Sequence, residues 1–177
     1  MRDIEEEEDN DLVKYTGTYG GITQESKFWD DFEDFGEKKL LKMKIIKITV
    51  YTGLFKEKDA ILGISFTYRN STTGEIKEIV HKGSLNHVDV KEFTIDDDEY
   101  LTDFHIRYPN EGEYISQIGY GTNKRQFLVP EKSEDGKNQD IEINGGNFII
   151  IGTYGCFNEK FDATGVLFIS KEEYLKL

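Results

Sequence analysis

The residue best suited to chemistry is Asp162, the last residue of the polar loop Gly155-Cys156-Phe157-Asn158-Glu159-Lys160-Phe161-Asp162, which joins two apolar runs. An ionised carboxylate accepts on both oxygens, so one aspartate can take hydrogen bonds from two neighbouring hydroxyls, and such charge-assisted bonds are stronger than neutral ones. Polar loops held by rigid strands are also where binding groups are usually presented. On these residues alone, an ordinary hairpin loop with a solvated aspartate comes first and a binding loop second.

Other reactive residue types form no catalytic or metal pattern. Cys156 is the only cysteine, which excludes an intrachain disulfide and a cysteine-based zinc site. Beside Phe157 it reads as a packed, inert thiol. His81, His87 and His105 lack metal-ligand spacing, and His105 falls within an alternating strand pattern. The run Asp96-Asp97-Asp98-Glu99 lacks the spaced oxygen ligands and the glycine of an EF-hand loop, and reads as a solvated turn. No Gly-x-Ser-x-Gly elbow is present, and no feature selects two of the many carboxylates as an acid–base pair. The expectation is a binder rather than an enzyme, with no catalytic residues, no metal and no cofactor.

The elements that must position Asp162 are two strands, residues 147–154 and 163–170. Phe148-Ile149-Ile150-Ile151 and Val166-Leu167-Phe168-Ile169 are continuous apolar runs, too short to span a membrane and typical of strands buried on both faces. A first strand is expected over residues 12–18, followed by Gly20-Gly21 and the step Phe28-Trp29-Asp30-Asp31. Residues 32–44 read as a loop entering a strand. Residues 45–51 alternate with Ile46, Ile48 and Val50 on one face, and 61–69 with Ile64, Phe66 and Tyr68. A turn at 70–74 returns the chain as a strand over 75–81, anchored by Ile76, Ile79 and Val80. Further strands are expected at 90–95, 100–108 and 126–129, another ends within 118–124, and residues 140–143 lead into the next turn. Asn144-Gly145-Gly146 marks a tight turn, and residues 171–177 form a C-terminal tail with room for one helical turn.

The 177 residues suit one domain with a sizeable core, and 12 Phe, 10 Tyr and 17 Gly beside two Pro suit an all-β protein with many turns. The formal charge of −13 opposes a nucleic-acid or anionic-membrane partner, since both are polyanions. Residues 1–10, with Glu5-Glu6-Glu7-Glu8, read as a disordered acidic tail. The start has no signal-peptide h-region, so the expectation is a cytoplasmic protein as the sequence stands, or a secreted one had a leader been removed. Strand spacing alone leaves sandwich, barrel and prism open.

The order strand, Gly155, short loop, Asp162, Ala163-x-Gly165, apolar strand resembles the C-terminal hairpin of jacalin-related lectins of the mannose-binding type. There a Gly-x-x-x-Asp loop binds sugar through its carboxylate and the amides before it. Asp162 matches the motif's aspartate, while its glycine position holds Asn158. Gly20-Gly21 and Phe28-Trp29-Asp30-Asp31 resemble the family's opening turn, although its later glycine is replaced within residues 22–27. Glu99-Tyr100-Leu101 and Ile118-Gly119-Tyr120-Gly121-Thr122-Asn123-Lys124 extend the likeness. Between them Pro109-Asn110-Glu111-Gly112 matches the loop that tunes sugar choice, flanked by Arg107 and Tyr114 as candidate contacts.

The resemblance covers about residues 11–170 and implies a β-prism I, three four-stranded antiparallel sheets with pseudo-threefold symmetry. It implies metal-free recognition of a hexose-type glycan or glycoprotein by Asp162, with the amides of Glu159 and Lys160, Asn158, Gly21 and Ser26 in the site. Phe161 or Tyr154 would supply an aromatic wall. Relatives often form dimers or tetramers, so a homo-oligomer is an expected partner. The alternative is a β-prism protein-interaction module that has lost sugar binding, a reading the Asn158 and turn departures favour.

Overall fold

The computed structural model describes residues 12–109, 114–131, 138–144 and 147–177. The chain opens with short strands β1 (Lys14–Tyr15), β2 (Tyr19–Gly20) and β3 (Lys27–Asp30), then helices α1 (Asp31–Phe35) and α2 (Glu37–Leu40). Next come β4 (Met43–Phe55), β5 (Lys58–Asn70), β6 (Ile76–Lys82) and β7 (Asp89–Thr94). They are followed by β8 (Leu101–Pro109), β9 (Gln117–Thr122), β10 (Gln126–Val129) and β11 (Asn138–Asn144). The chain closes with β12 (Phe148–Phe157), β13 (Phe161–Ser170) and the single turn α3 (Lys171–Tyr174).

Three antiparallel sheets result, with one connectivity. The orders β6-β5-β4-β7 and β10-β9-β8-β11 are each a hairpin, a third strand beside it and a fourth returning to the opposite edge, which is a Greek key. The remaining sheet repeats it with strands from both ends of the chain: β1 and β2 share one edge of β13, and β3 lines the edge of β12. Together β1 and β2 make one interrupted strand, so this sheet too has four positions. The three-sheet prism expected from the resemblance is what forms.

The core lies between the inner faces. Phe66 meets Tyr120 with ring centroids 5.4 Å apart, and Phe104 meets the same ring at 5.6 Å. Among these rings sits a buried polar knot. The Asp31 carboxylate accepts from the Tyr68 hydroxyl and from the Thr153 N–H at 3.4 Å, and His81 Nε2 stands 3.3 Å away. Four elements, α1, β5, β6 and β12, meet there. Burial, reinforced by the Asp31 charge, holds the Tyr68 hydroxyl well above its usual pKa.

Local departures from the sequence expectation have local causes. Residues 32–44 are not simply loop, because the Asp30 side chain caps α1 by accepting from the Phe32 N–H at 2.9 Å, and Phe35 and Leu40 are buried. In β4 a bulge falls between Ile45 and Lys47, so Ile45, Ile48 and Val50 face the core and Ile46 does not join them. In β6, an edge strand, Ile76 and Val80 are exposed rather than anchoring, and Ile79 carries the packing. The expected acidic tail and tight turn at 145–146 lie outside the described residues.

Candidate functional site

β12 and β13 run further than the sequence pattern suggests. They pair from Phe148↔Ser170 to Phe157↔Phe161, leaving residues 158–160 as the turn. Asp162 therefore sits inside a strand, 1% exposed, and not in a solvated loop. Two neighbouring segments fix the turn from outside. The Ser84 and Leu85 N–H groups donate to the carbonyls of Asn158 (3.0 Å) and Glu159 (2.9 Å). Gly83 makes that approach possible, because a Cβ there would lie 2.3 Å from the Glu159 carbonyl oxygen.

The N-terminal turn arrives from the other side. Gly20 has φ +126, and a Cβ would lie 2.2 Å from the Asp162 carbonyl oxygen. The Gly21 N–H donates 3.0 Å to that same carbonyl. Gly21 is thus brought to Asp162, but its amide is spent on backbone. Ser26 reaches the carboxylate itself, its hydroxyl donating 2.8 Å to Oδ2 while accepting from the Thr23 N–H at 3.0 Å.

The other carboxylate oxygen is also engaged. Lys160 Nζ donates 2.7 Å to Asp162 Oδ1 and lies 4.7 Å from the centroid of the Phe55 ring. Asn158 Nδ2 donates to Glu25 at 3.3 Å, linking the two loops across the rim. Between these groups opens a cavity of about 540 Å³, lined by Thr23, Gln24, Glu25, Phe55, Lys56, Asn158, Glu159 and Lys160, with Asp162 at its floor.

Phe161 does not serve as an aromatic wall. It is fully buried and stacks on Trp29 with centroids 5.1 Å apart, because strand alternation next to Asp162 turns it into the core. Tyr154 is held elsewhere, its hydroxyl donating to the Thr16 carbonyl and its ring 5.1 Å from Tyr15. The aromatic surface at the cavity is Phe55, at the tip of the β4–β5 hairpin, and Tyr114 adjoins it at 6.1 Å. The pattern of Phe55 before the two-residue turn Lys56-Glu57 announces a hairpin, yet nothing local to it points to residue 160. Arg107 is engaged with Asp140 at 2.5 and 3.1 Å. Residues 110–113, most of the expected sugar-tuning loop, lie outside the described residues.

Cys156 is buried beneath this cluster, and burial pushes its thiol above the usual value, as befits an inert group. Among the described residues no group of three or more His, Cys, Asp or Glu side chains is placed to hold a metal ion. No helix among them is long and apolar enough to cross a membrane.

Three Greek keys around one core define a β-prism domain, here with its candidate site at the turn of the terminal hairpin. The Jacalin-like lectin domain model matches residues 16–167, and the chain belongs to that family of non-enzymatic sugar-binding proteins. Solved structures share the fold. Malaysian banana lectin is 22% identical, with a TM-score of 0.68 over 90% of this chain and 99% of that one. AcmJRL from Ananas comosus is 18% identical, with a TM-score of 0.66 over 89% and 98%. Calystegia sepium agglutinin is 20% identical, with a TM-score of 0.64 over 90% and 98%. No curated protein matches the chain.

Proposed function

We propose that the chain is a carbohydrate-binding module whose combining site is the cavity at the 158–160 turn. The observation that carries this is convergence: the N-terminal turn, the β12–β13 turn and the β4–β5 tip meet around one open cavity with a carboxylate at its floor. Asp162 would accept from two adjacent hydroxyls of a hexose, and the Glu159 and Lys160 amides would donate to the same sugar. Ser26 and Asn158 complete the polar rim, and the Phe55 ring, rather than Phe161, offers a face to sugar C–H groups. Carboxylate and amides suffice for such recognition without a cation. AcmJRL is a mannose-binding lectin and Calsepa lectin has been seen with a biantennary N-glycan, so mannosides and N-glycans head the candidates.

The test is a glycan array on wild type beside Asp162→Ala, with circular dichroism to verify that the variant folds. Binding by wild type that disappears in the folded variant supports the proposal and names the sugar class. Undiminished binding by the variant sinks the role of Asp162.

One observation favours a second reading: both Asp162 oxygens are already satisfied by Lys160 and Ser26. A prism whose site is permanently sealed would serve as a protein-interaction module, presenting its net charge of −13 to a basic partner. Silence of both proteins on the array would move the assignment there.

A further inference from the structure

We infer that Lys160 is an internal occupant of the combining site, holding on Asp162 the place of a ligand hydroxyl, so that glycan binds only when this side chain swings out. This rests on the carbohydrate-binding reading of the cavity and adds to it what sets its affinity.

The geometry carries the inference. Asp162 is 1% exposed, and the atoms that cover its carboxylate are donors from the chain itself, Lys160 Nζ on Oδ1 and Ser26 Oγ on Oδ2. Two donors on two oxygens, at 2.7 and 2.8 Å, are the complement that a pair of vicinal sugar hydroxyls would supply. The Lys160 side chain is itself only 8% exposed, its ammonium lying between the carboxylate and the face of Phe55. The one aromatic surface that a sugar could use at this floor is therefore also covered by Lys160.

The same geometry makes the occupant removable. Backbone bonds from Ser84 and Leu85 hold the turn, and Asp162 belongs to β13, so neither has to move. The flexible lysine stem must rotate and the Ser26 hydroxyl must yield Oδ2, and the cavity of about 540 Å³ beside them leads to solvent. A neutral hydroxyl competes poorly with an ammonium for a shielded carboxylate, because it lacks the charge-assisted part of the bond. Binding then draws on the fraction of molecules with Lys160 withdrawn, and apparent affinity falls by that fraction. An open fraction of roughly one in ten to one in a hundred weakens binding ten- to a hundredfold. Ser26 adds no such barrier, since a hydroxyl exchanges for a hydroxyl.

Titration calorimetry with methyl α-mannoside, methyl α-glucoside and methyl α-galactoside tests this on wild type, Lys160→Ser and Lys160→Met. Methionine keeps the stem's packing on Phe55 without the ammonium, and so decides the matter should the serine variant not fold. Expected is a gain of about tenfold or more for at least one glycoside in a folded variant, abolished when Asp162→Asn is added. Equal affinity in wild type and variants overturns the inference while leaving the lectin reading intact. Absence of binding in all the proteins overturns that reading and the inference with it. A second readout uses wild type alone: acetylation of Lys160, followed by mass spectrometry, should increase as the binding glycoside saturates the site. Protection of Lys160 by the glycoside would show it to be an ordinary contact and would also overturn the inference.

Discussion

Glu99 shows how one residue can fix a joint between sheets. It is 1% exposed, its carboxylate gripped by Arg125 Nε and Nη2 at 3.0 and 2.8 Å, by the Thr122 hydroxyl at 2.6 Å and by the Asp96 N–H at 3.1 Å. Arg125 in turn lies over the Phe93 ring at 4.7 Å, joining the β7 and β10 edges. The Arg125 hydrogen bonds, foremost, hold the Glu99 carboxyl at about 2, below its ordinary 4.5. A depressed folded-state pKa means stabilisation that is complete above 4.5 and is lost as pH falls towards about 2. The difference in unfolding free energy between wild type and Glu99→Gln should hold steady from neutral pH to about 4.5, then close towards pH 2. A gap that stays constant over that whole range would show that Glu99 is not held ionised by its partners. In sequence this residue stood in an acidic run read as a solvated turn. That description suits Asp97, whose side chain is 84% exposed, but not Glu99. Neighbouring residues of one charge met opposite environments because the partner, Arg125, comes from a distant turn, the one between β9 and β10.

At the scale of elements, what could be read was what short-range chemistry dictates. Alternation and apolar runs placed the long strands, and β10 (Gln126–Val129) matches its expected span. What could not be read was where pairing continues past an apolar run. β12 and β13 zip on to Phe157 and Phe161, so a loop of eight expected residues shrinks to a three-residue turn and takes Asp162 out of solvent. The buttress of that turn was also hidden, since Gly83 to Leu85 carry no binding-like residue and act through backbone alone. Gly83→Ala tests the buttress. Its Cβ would meet Glu159 and Lys160 backbone atoms at 2.3–2.6 Å, which no side-chain rotation relieves. The variant should lose about 1–3 kcal/mol in urea unfolding, and the Ser84 and Leu85 amides should lose protection from hydrogen exchange. Unchanged protection of those two amides would mean that the turn is held by its own strands.

At the scale of the whole molecule, the charge of −13 and the aromatic-rich composition bounded the class, and the prism came from motifs at both ends of the chain. The end motifs were informative because they are neighbours in space. Tyr154 pairs with Asp30 and Ala163 with Gly20, so the candidate site is built from nearly opposite ends of the sequence. Phe55, from the middle, had no such signature. This arrangement makes the terminal sheet the one Greek key of three that is not contiguous. Joining the present ends and opening the chain between β11 and β12 would make all three contiguous, in the order β12-β13-β1-β2-β3, then β4 to β7, then β8 to β11. Lys14 lies opposite Phe168 in register, so a short Gly-Ser linker in place of residues 1–11 can connect Leu177 to Leu12. The permutant converts the longest-range pairings into local ones, which lowers the loop-closure cost of forming the site-bearing sheet. It should fold to the same strand content by circular dichroism, refold faster in stopped-flow mixing, and retain any glycan binding of wild type. Slower refolding, or a chain that stays unfolded, would mean that the central keys must form first and template the terminal one. The separation of its strands along the chain would then be part of how this prism assembles.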